Sequence, residues 1–213
     1  MPAPITPEIL NYILAQTRHD DPLLAEMEVR AASEGFPIIG PHVGPWLYTL
    51  TRMIGGQRVY ELGSGYGYST WYFCKAVQGT ANPTVVHTVW DAQLSADARV
   101  NLTAAGFADF TQFVEGEAVE ALSAAEGGWD VIFMDIDKEG YPGALPVIEQ
   151  KLRPGGLLIV DNMIWSGKVA DPADTRESTQ AIRELTRMLR ESPRWEMLIL
   201  PLRDGVAVAR FAG

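Results

Sequence analysis

The stretch from Arg58 to Thr70, Arg-Val-Tyr-Glu-Leu-Gly-Ser-Gly-Tyr-Gly-Tyr-Ser-Thr, constrains this chain more than any other. It reads as a short apolar strand, a turn with glycine at 63, 65 and 67, and an amphipathic helix from near Tyr68 to about Val77. Glycines so placed let the backbone approach a ligand that a Cβ would hold off, and the helix start offers unpaired N–H groups. A tight strand-to-helix turn that uses glycine only for positive φ would look the same in isolation. Two details narrow the choice. A dinucleotide fingerprint puts its third glycine three positions after the second, where this chain has Tyr68. Glu61, two residues before the first glycine, would repel a pyrophosphate but suits a cationic or hydroxyl-bearing ligand such as an aminoacyl nucleoside.

Strand and helix patterns alternate along the rest of the chain. Thr84–Val89, Thr111–Glu115 and Trp129–Met134 are strand-like, and a fourth run, Leu157–Val160, follows a turn at Arg153-Pro154-Gly155-Gly156. Helical patterns cover Ser95–Ala105, Pro142–Leu152 and about Thr175–Arg190, and Glu196–Leu200 with Val206–Phe211 reads as a hairpin around Asp204-Gly205. Ahead of the glycine turn, Thr6-Pro7 and Asp21-Pro22 start two helices, the second ending near Ala32. A Gly/Pro-rich loop over Glu34–Pro45 leads to a helix over Pro45–Ile54. We expect one α/β domain over 1–213, with 1–34 as a helical extension. Its core is a doubly wound, Rossmann-like seven-stranded sheet, mostly parallel, with an antiparallel C-terminal strand.

Composition excludes several classes of partner. A net charge of −10 weakens contact with nucleic acid and with acidic membranes, and no run is long and apolar enough to span a bilayer. The single cysteine, Cys74, forms no internal disulfide and falls in a helical pattern as a small core residue. Met1-Pro2-Ala3-Pro4 has neither the basic patch nor the apolar stretch of an export signal, so a cytoplasmic protein is expected.

In sheets of this kind ligands bind beyond the carboxyl ends of the strands. Glu61, Asp91, Asp135 and Asp161 all fall there. Taken singly, an aspartate after a strand is most often a turn or helix cap. Taken together, Asp135 and the Asp161-Asn162 pair offer two carboxylates and an amide oxygen, which are hard ligands for Mg²⁺ or a similar cation. Lys138 follows closely and could move a proton, or simply pair with Asp137 or Glu139.

Four segments then carry a specific resemblance: Val-Tyr-Glu-Leu-Gly-Ser-Gly-Tyr-Gly-Tyr-Ser, Met-Asp-Ile-Asp-Lys, Val-Asp-Asn-Met-Ile-Trp-Ser-Gly-Lys-Val and Leu-Pro-Leu-Arg-Asp-Gly-Val. In order and composition the chain from about Gly35 onward resembles the cation-dependent O-methyltransferases, the group of catechol and caffeoyl-CoA O-methyltransferases. The resemblance implies S-adenosylmethionine as donor, a divalent cation such as Mg²⁺ on Asp135, Asp161 and Asn162, and Lys138 as catalytic base. It implies donor contacts from Glu61, Gly63, Ser69 and the backbone of Ile39, with Gly116, Glu117 and Ala118 edging the adenine. A small phenolic acceptor with two adjacent hydroxyls and a homodimer through the first helices are also implied, while Trp165, after the Asp161-Asn162 pair, reads either as a wall of the acceptor pocket or as packing. The chain departs from the family at the second strand. The acid that holds the ribose would fall at Val89, while the available carboxylate is Asp91, which would need a bulge or a shifted loop to serve. A dinucleotide oxidoreductase and a non-catalytic donor-binding protein are the rival readings.

Overall fold

The computed structural model describes residues 6–17 and 21–213, so Met1–Pro4 lie outside the described residues. Three helices precede the sheet: α1 (Pro7–Gln16), α2 (Pro22–Glu34) and α3 (Gly40–Met53). The body alternates β1 (Arg58–Leu62), α4 (Tyr68–Val77), β2 (Thr84–Val89), α5 (Ala92–Ala104), β3 (Thr111–Glu115), α6 (Ala118–Ala124), β4 (Trp129–Met134), α7 (Tyr141–Lys151) and β5 (Leu152–Val160). A 3₁₀ turn at Trp165–Ala170, α8 (Glu177–Glu191), β6 (Trp195–Leu200) and β7 (Val206–Phe211) complete it. The strands form one seven-stranded sheet in the order β3-β2-β1-β4-β5-β7-β6. All pairings among β1 to β5 are parallel, and β7 alone runs against its neighbours.

Burial explains the layering. Strand side chains alternate between faces, so Val59, Val131, Phe133 and Ile159 pack under α2, α3 and α4, while Tyr60, Ile132, Met134 and Leu158 pack under α6, α7 and α8. Both faces are covered, which is why the central strands read as continuous apolar runs. The strand order reverses between β1 and β4, and the crevice that opens there is where such sheets receive ligands.

Helix α5 begins at Ala92 rather than Ser95 and α2 runs to Glu34 rather than Ala32, and two other boundaries differ more. The helix expected from Pro45 already begins at Gly40. Pro41 sits in its first turn, where a missing N–H is harmless, and Pro45 is carried inside the helix. Gly44 is also helical because α3 lies against α4: a Cβ there would fall within the Tyr72 ring. The Arg153–Gly156 turn is instead the start of β5. Trp129 pairs with Leu152, the Gly128 N–H donates to the Lys151 carbonyl at 2.8 Å, and a register shift between Trp129 and Val131 absorbs the extra residues. Among the described residues no helix is long and apolar enough to cross a membrane.

Candidate active site

The strand tips are stitched to one another. Beyond β1, the Asp135 N–H donates to the Leu62 carbonyl at 2.9 Å, and beyond β4 the Asp161 N–H donates to the Met134 carbonyl at 3.2 Å. Each acid is thereby held one strand over from the last, at the mouth of a cleft of about 860 Å³. Gly63, at φ 83°, passes so close to the Asp135 carbonyl that a Cβ could not fit between them. The glycine turn and the acidic tip are therefore one packed unit.

The cleft gathers most of the residues singled out from sequence. Ile39, Gly63, Ser69, Asp91, Gly116, Glu117 and Ala118 line it together with Asp135, Lys138, Asp161, Asn162 and Trp165. Glu61 is not among the lining residues: it lies behind the turn with no exposed surface. Its Oε2 accepts from the Thr70 hydroxyl at 2.5 Å, and its Oε1 has no hydrogen-bond partner among the described residues. Burial pushes this carboxyl up to about 7, against the pull of the Ser69, Thr70 and Ser64 hydroxyls. Asp91 lines the cleft, two residues beyond the end of β2, which pairs with β3 in register to Val89 and Glu115. Asp91 caps α5, accepting from the Gln93 and Leu94 N–H groups at 2.8 and 2.9 Å, and Glu117 caps α6 in the same way.

Around the tips of β4 and β5 the chemistry is concentrated. Lys138 Nζ stands 2.9 Å from Asp135 Oδ1 and 3.0 Å from the Ile136 carbonyl, not on Asp137 or Glu139, with the Trp165 ring 5.8 Å away. Asp161 is 5% exposed, and burial together with the Asp135 charge pushes its carboxyl up to about 6. Tyr141, buried beneath, donates its hydroxyl to the Asp161 carbonyl at 3.0 Å. Among the described residues no three His, Cys, Asp or Glu side chains are gathered as a metal-holding group. The set at hand is instead two carboxylates and an amide. Asn162 Nδ2 turns toward Asp204 Oδ2 at 3.4 Å, which leaves its oxygen as the atom free to coordinate. Three hard oxygens, two of them carboxylates with Lys138 paired to one, fit a divalent cation in chemistry.

Two features of the site were missed in the sequence. His87 on β2 has no exposed surface, and its Nε2 lies 3.1 Å from the Gly65 carbonyl, under the glycine turn. Its signal was a histidine inside an apolar strand. The second feature is backbone strain: the non-glycine residues at positive φ among those described are Asn162, Trp165, Ser166 and Arg203, of which Asn162, Trp165 and Arg203 line the cleft. Such clustering marks sites where the surrounding fold holds the chain against its preference.

The family model described as O-methyltransferase matches residues 8–211 of this chain. A catechol O-methyltransferase from Niastella koreensis is 31% identical over 210 residues, covering 93% of this chain and 94% of its own. The O-methyltransferase TomG from Streptomyces achromogenes, solved in complex with SAM, matches with a TM-score of 0.88 at 22% identity, over 97% of this chain and 96% of that one. An O-methyltransferase from Bacillus cereus, solved in complex with SAH, gives 0.85 at 24% identity, over 94% and 96%. At those identities the two structures speak to the fold.

Proposed function

The chain belongs to the O-methyltransferase family, and from that premise we propose that it methylates one hydroxyl of a vicinal diphenol with S-adenosylmethionine as donor and a divalent cation at Asp135, Asp161 and Asn162. The observation that carries the finer reading is that those three side chains and Lys138 line the same cleft as the glycine turn, with Gly63 packed against the Asp135 backbone.

Asp135, Asp161 and Asn162 would hold the cation, which when bound would supply positive charge that lowers the pKa of an aromatic hydroxyl beside it. The donor supplies an electrophilic methyl group, and Gly63 and Ser69 with the Ile39 backbone are the surface that holds it near the acid tip. Lys138 Nζ takes the hydroxyl proton. Its ion pair with Asp135 holds Nζ beside the acids that would carry the cation. Trp165 walls the acceptor and excludes water. The residues contribute most by holding two reactants in contact, an effect worth up to about 7–11 kcal/mol.

The test is methyl transfer from labelled donor to a panel of catechols, with and without chelator. Activity that disappears with chelator and in Asp161→Ala, and returns with Mg²⁺ in the wild type alone, is the expected result. Undiminished activity in Asp161→Ala overturns the metal assignment.

A further inference from the structure

We propose that Arg203 makes this site select acceptors bearing a carboxylate, by holding that carboxylate at the lip of the cleft opposite the methyl-accepting hydroxyl. The inference rests on the function proposed above and narrows its acceptor class.

Arg203 belongs to the short turn between β6 and β7. That turn is fastened to the segment after β5: the Met163 N–H donates to the Gly205 carbonyl at 2.9 Å and the Ile164 N–H to the Asp204 carbonyl at 2.7 Å. The Asp204 carboxylate accepts the Ser166 N–H. The turn is therefore rigid, and it carries Arg203 at φ 47°, a conformation that disfavours any residue with a Cβ. A structural turn would be better served by glycine there, so the side chain is the reason to look further.

That side chain lines the cleft and makes one hydrogen bond, from Nη1 to the Ile38 carbonyl. Among the described residues it forms no ion pair. Six carboxylates line the cleft against two cations, and the other cation, Lys138, is already paired with Asp135. A cleft so acidic turns anions away unless a dedicated cation meets them, and Arg203 is the cation with donors to spare. Its planar fork suits a carboxylate in two-point contact. The turn favours the acceptor: Asp204, next to Arg203, meets Asn162 Nδ2 at 3.4 Å and the Ser166 N–H, although Arg203 Nη1 also stands beside Ile38 and Gly40, which flank the Ile39 backbone assigned to the donor. The donor also has a carboxylate, so the test must tell the two apart.

The test compares kcat/KM for 3,4-dihydroxybenzoate and its methyl ester, with unsubstituted catechol as a third acceptor, in the wild type, Arg203→Lys and Arg203→Gly. Glycine suits φ 47°, so this variant removes the charge without straining the turn. The affinity for S-adenosylhomocysteine is measured by calorimetry in each protein. We expect the wild type to prefer the acid over the ester by at least tenfold. That ratio should collapse at least tenfold in Arg203→Gly and fall by less in Arg203→Lys, with no matching change in S-adenosylhomocysteine affinity. Equal losses on all three acceptors would make Arg203 a strut and overturn the proposal. A parallel loss of S-adenosylhomocysteine affinity would assign the carboxylate to the donor and also overturn it. Neutral catechols methylated without preference for the acid would refute the selectivity and leave the proposed function standing; no methylation of any acceptor would remove both.

Discussion

His87 and Glu61 lie on neighbouring strands with no exposed surface, yet they are displaced in opposite senses. Burial lowers His87 to about 4 and raises Glu61 to about 7. Between pH 6.5 and 4 the unfolded chain binds a proton at position 87 that the native fold refuses, so stability is lost as pH falls. Between pH 4.5 and 7 the native fold keeps a proton at Glu61 that the unfolded chain releases, so stability is lost as pH rises. Each effect is about 3 kcal/mol at full extent, and over their common range they nearly cancel. We therefore expect urea unfolding of His87→Gln to show stability declining from pH 4.5 to 7 more steeply than in the wild type, and Glu61→Gln to show the reverse. Superimposable pH profiles for all three proteins would refute the assignment. At the same scale, Lys138→Met should lower kcat by about 10²–10⁴-fold if its Nζ moves the proton, measured by single-turnover methyl transfer. Residue identity at the strand tips was readable from sequence because the acids follow apolar runs directly. The Lys138 partner was not, since a side chain that folds back three positions onto Asp135 leaves no trace in composition.

Helix α3 shows where local signals fail. Its opening at Gly40 was hidden because glycine and proline were read as loop formers, whereas Gly44 is there for α4 to pack against. Contacts between distant segments dictate that choice. The same applies to β5, whose first residues look like a turn until Trp129 is placed opposite Leu152. By contrast α4 was legible to the residue, because its glycine turn and apolar face agree with each other. A pair of substitutions separates packing from propensity. Gly44→Ala gains about 1 kcal/mol of helix propensity but drives a methyl into the buried Tyr72 ring, and overpacking of about 1–3 kcal/mol should win. Gly143, in the first turn of α7, has open space around its Cβ position, so Gly143→Ala should stabilise by about 0.5–1 kcal/mol. Thermal unfolding of the two variants should shift in opposite directions, and a common sign would refute the distinction.

Over the whole molecule, the sheet order that reverses between β1 and β4 places the glycine turn and the acidic tips on one crevice, which alternation of strands and helices already foretold. The sequence could not show that Glu61 supports the turn from behind while Arg203 arrives from the far end of the chain. Cation binding to the folded state alone should be visible without catalysis. At a hundredfold excess over Kd, Mg²⁺ would add about 2.7 kcal/mol to the native state. For a chain of this length each kcal/mol raises Tm by about 2–4 °C, so wild type should gain several degrees and Asp161→Ala almost nothing. Equal gains in both proteins would place the cation elsewhere. The direction of β7 has a consequence of its own. Because this last strand doubles back between β5 and β6, the residues ahead of it hang over the crevice while both their anchors stay in the sheet. A lineage could therefore exchange those few residues and change what the crevice admits while inheriting the sheet untouched.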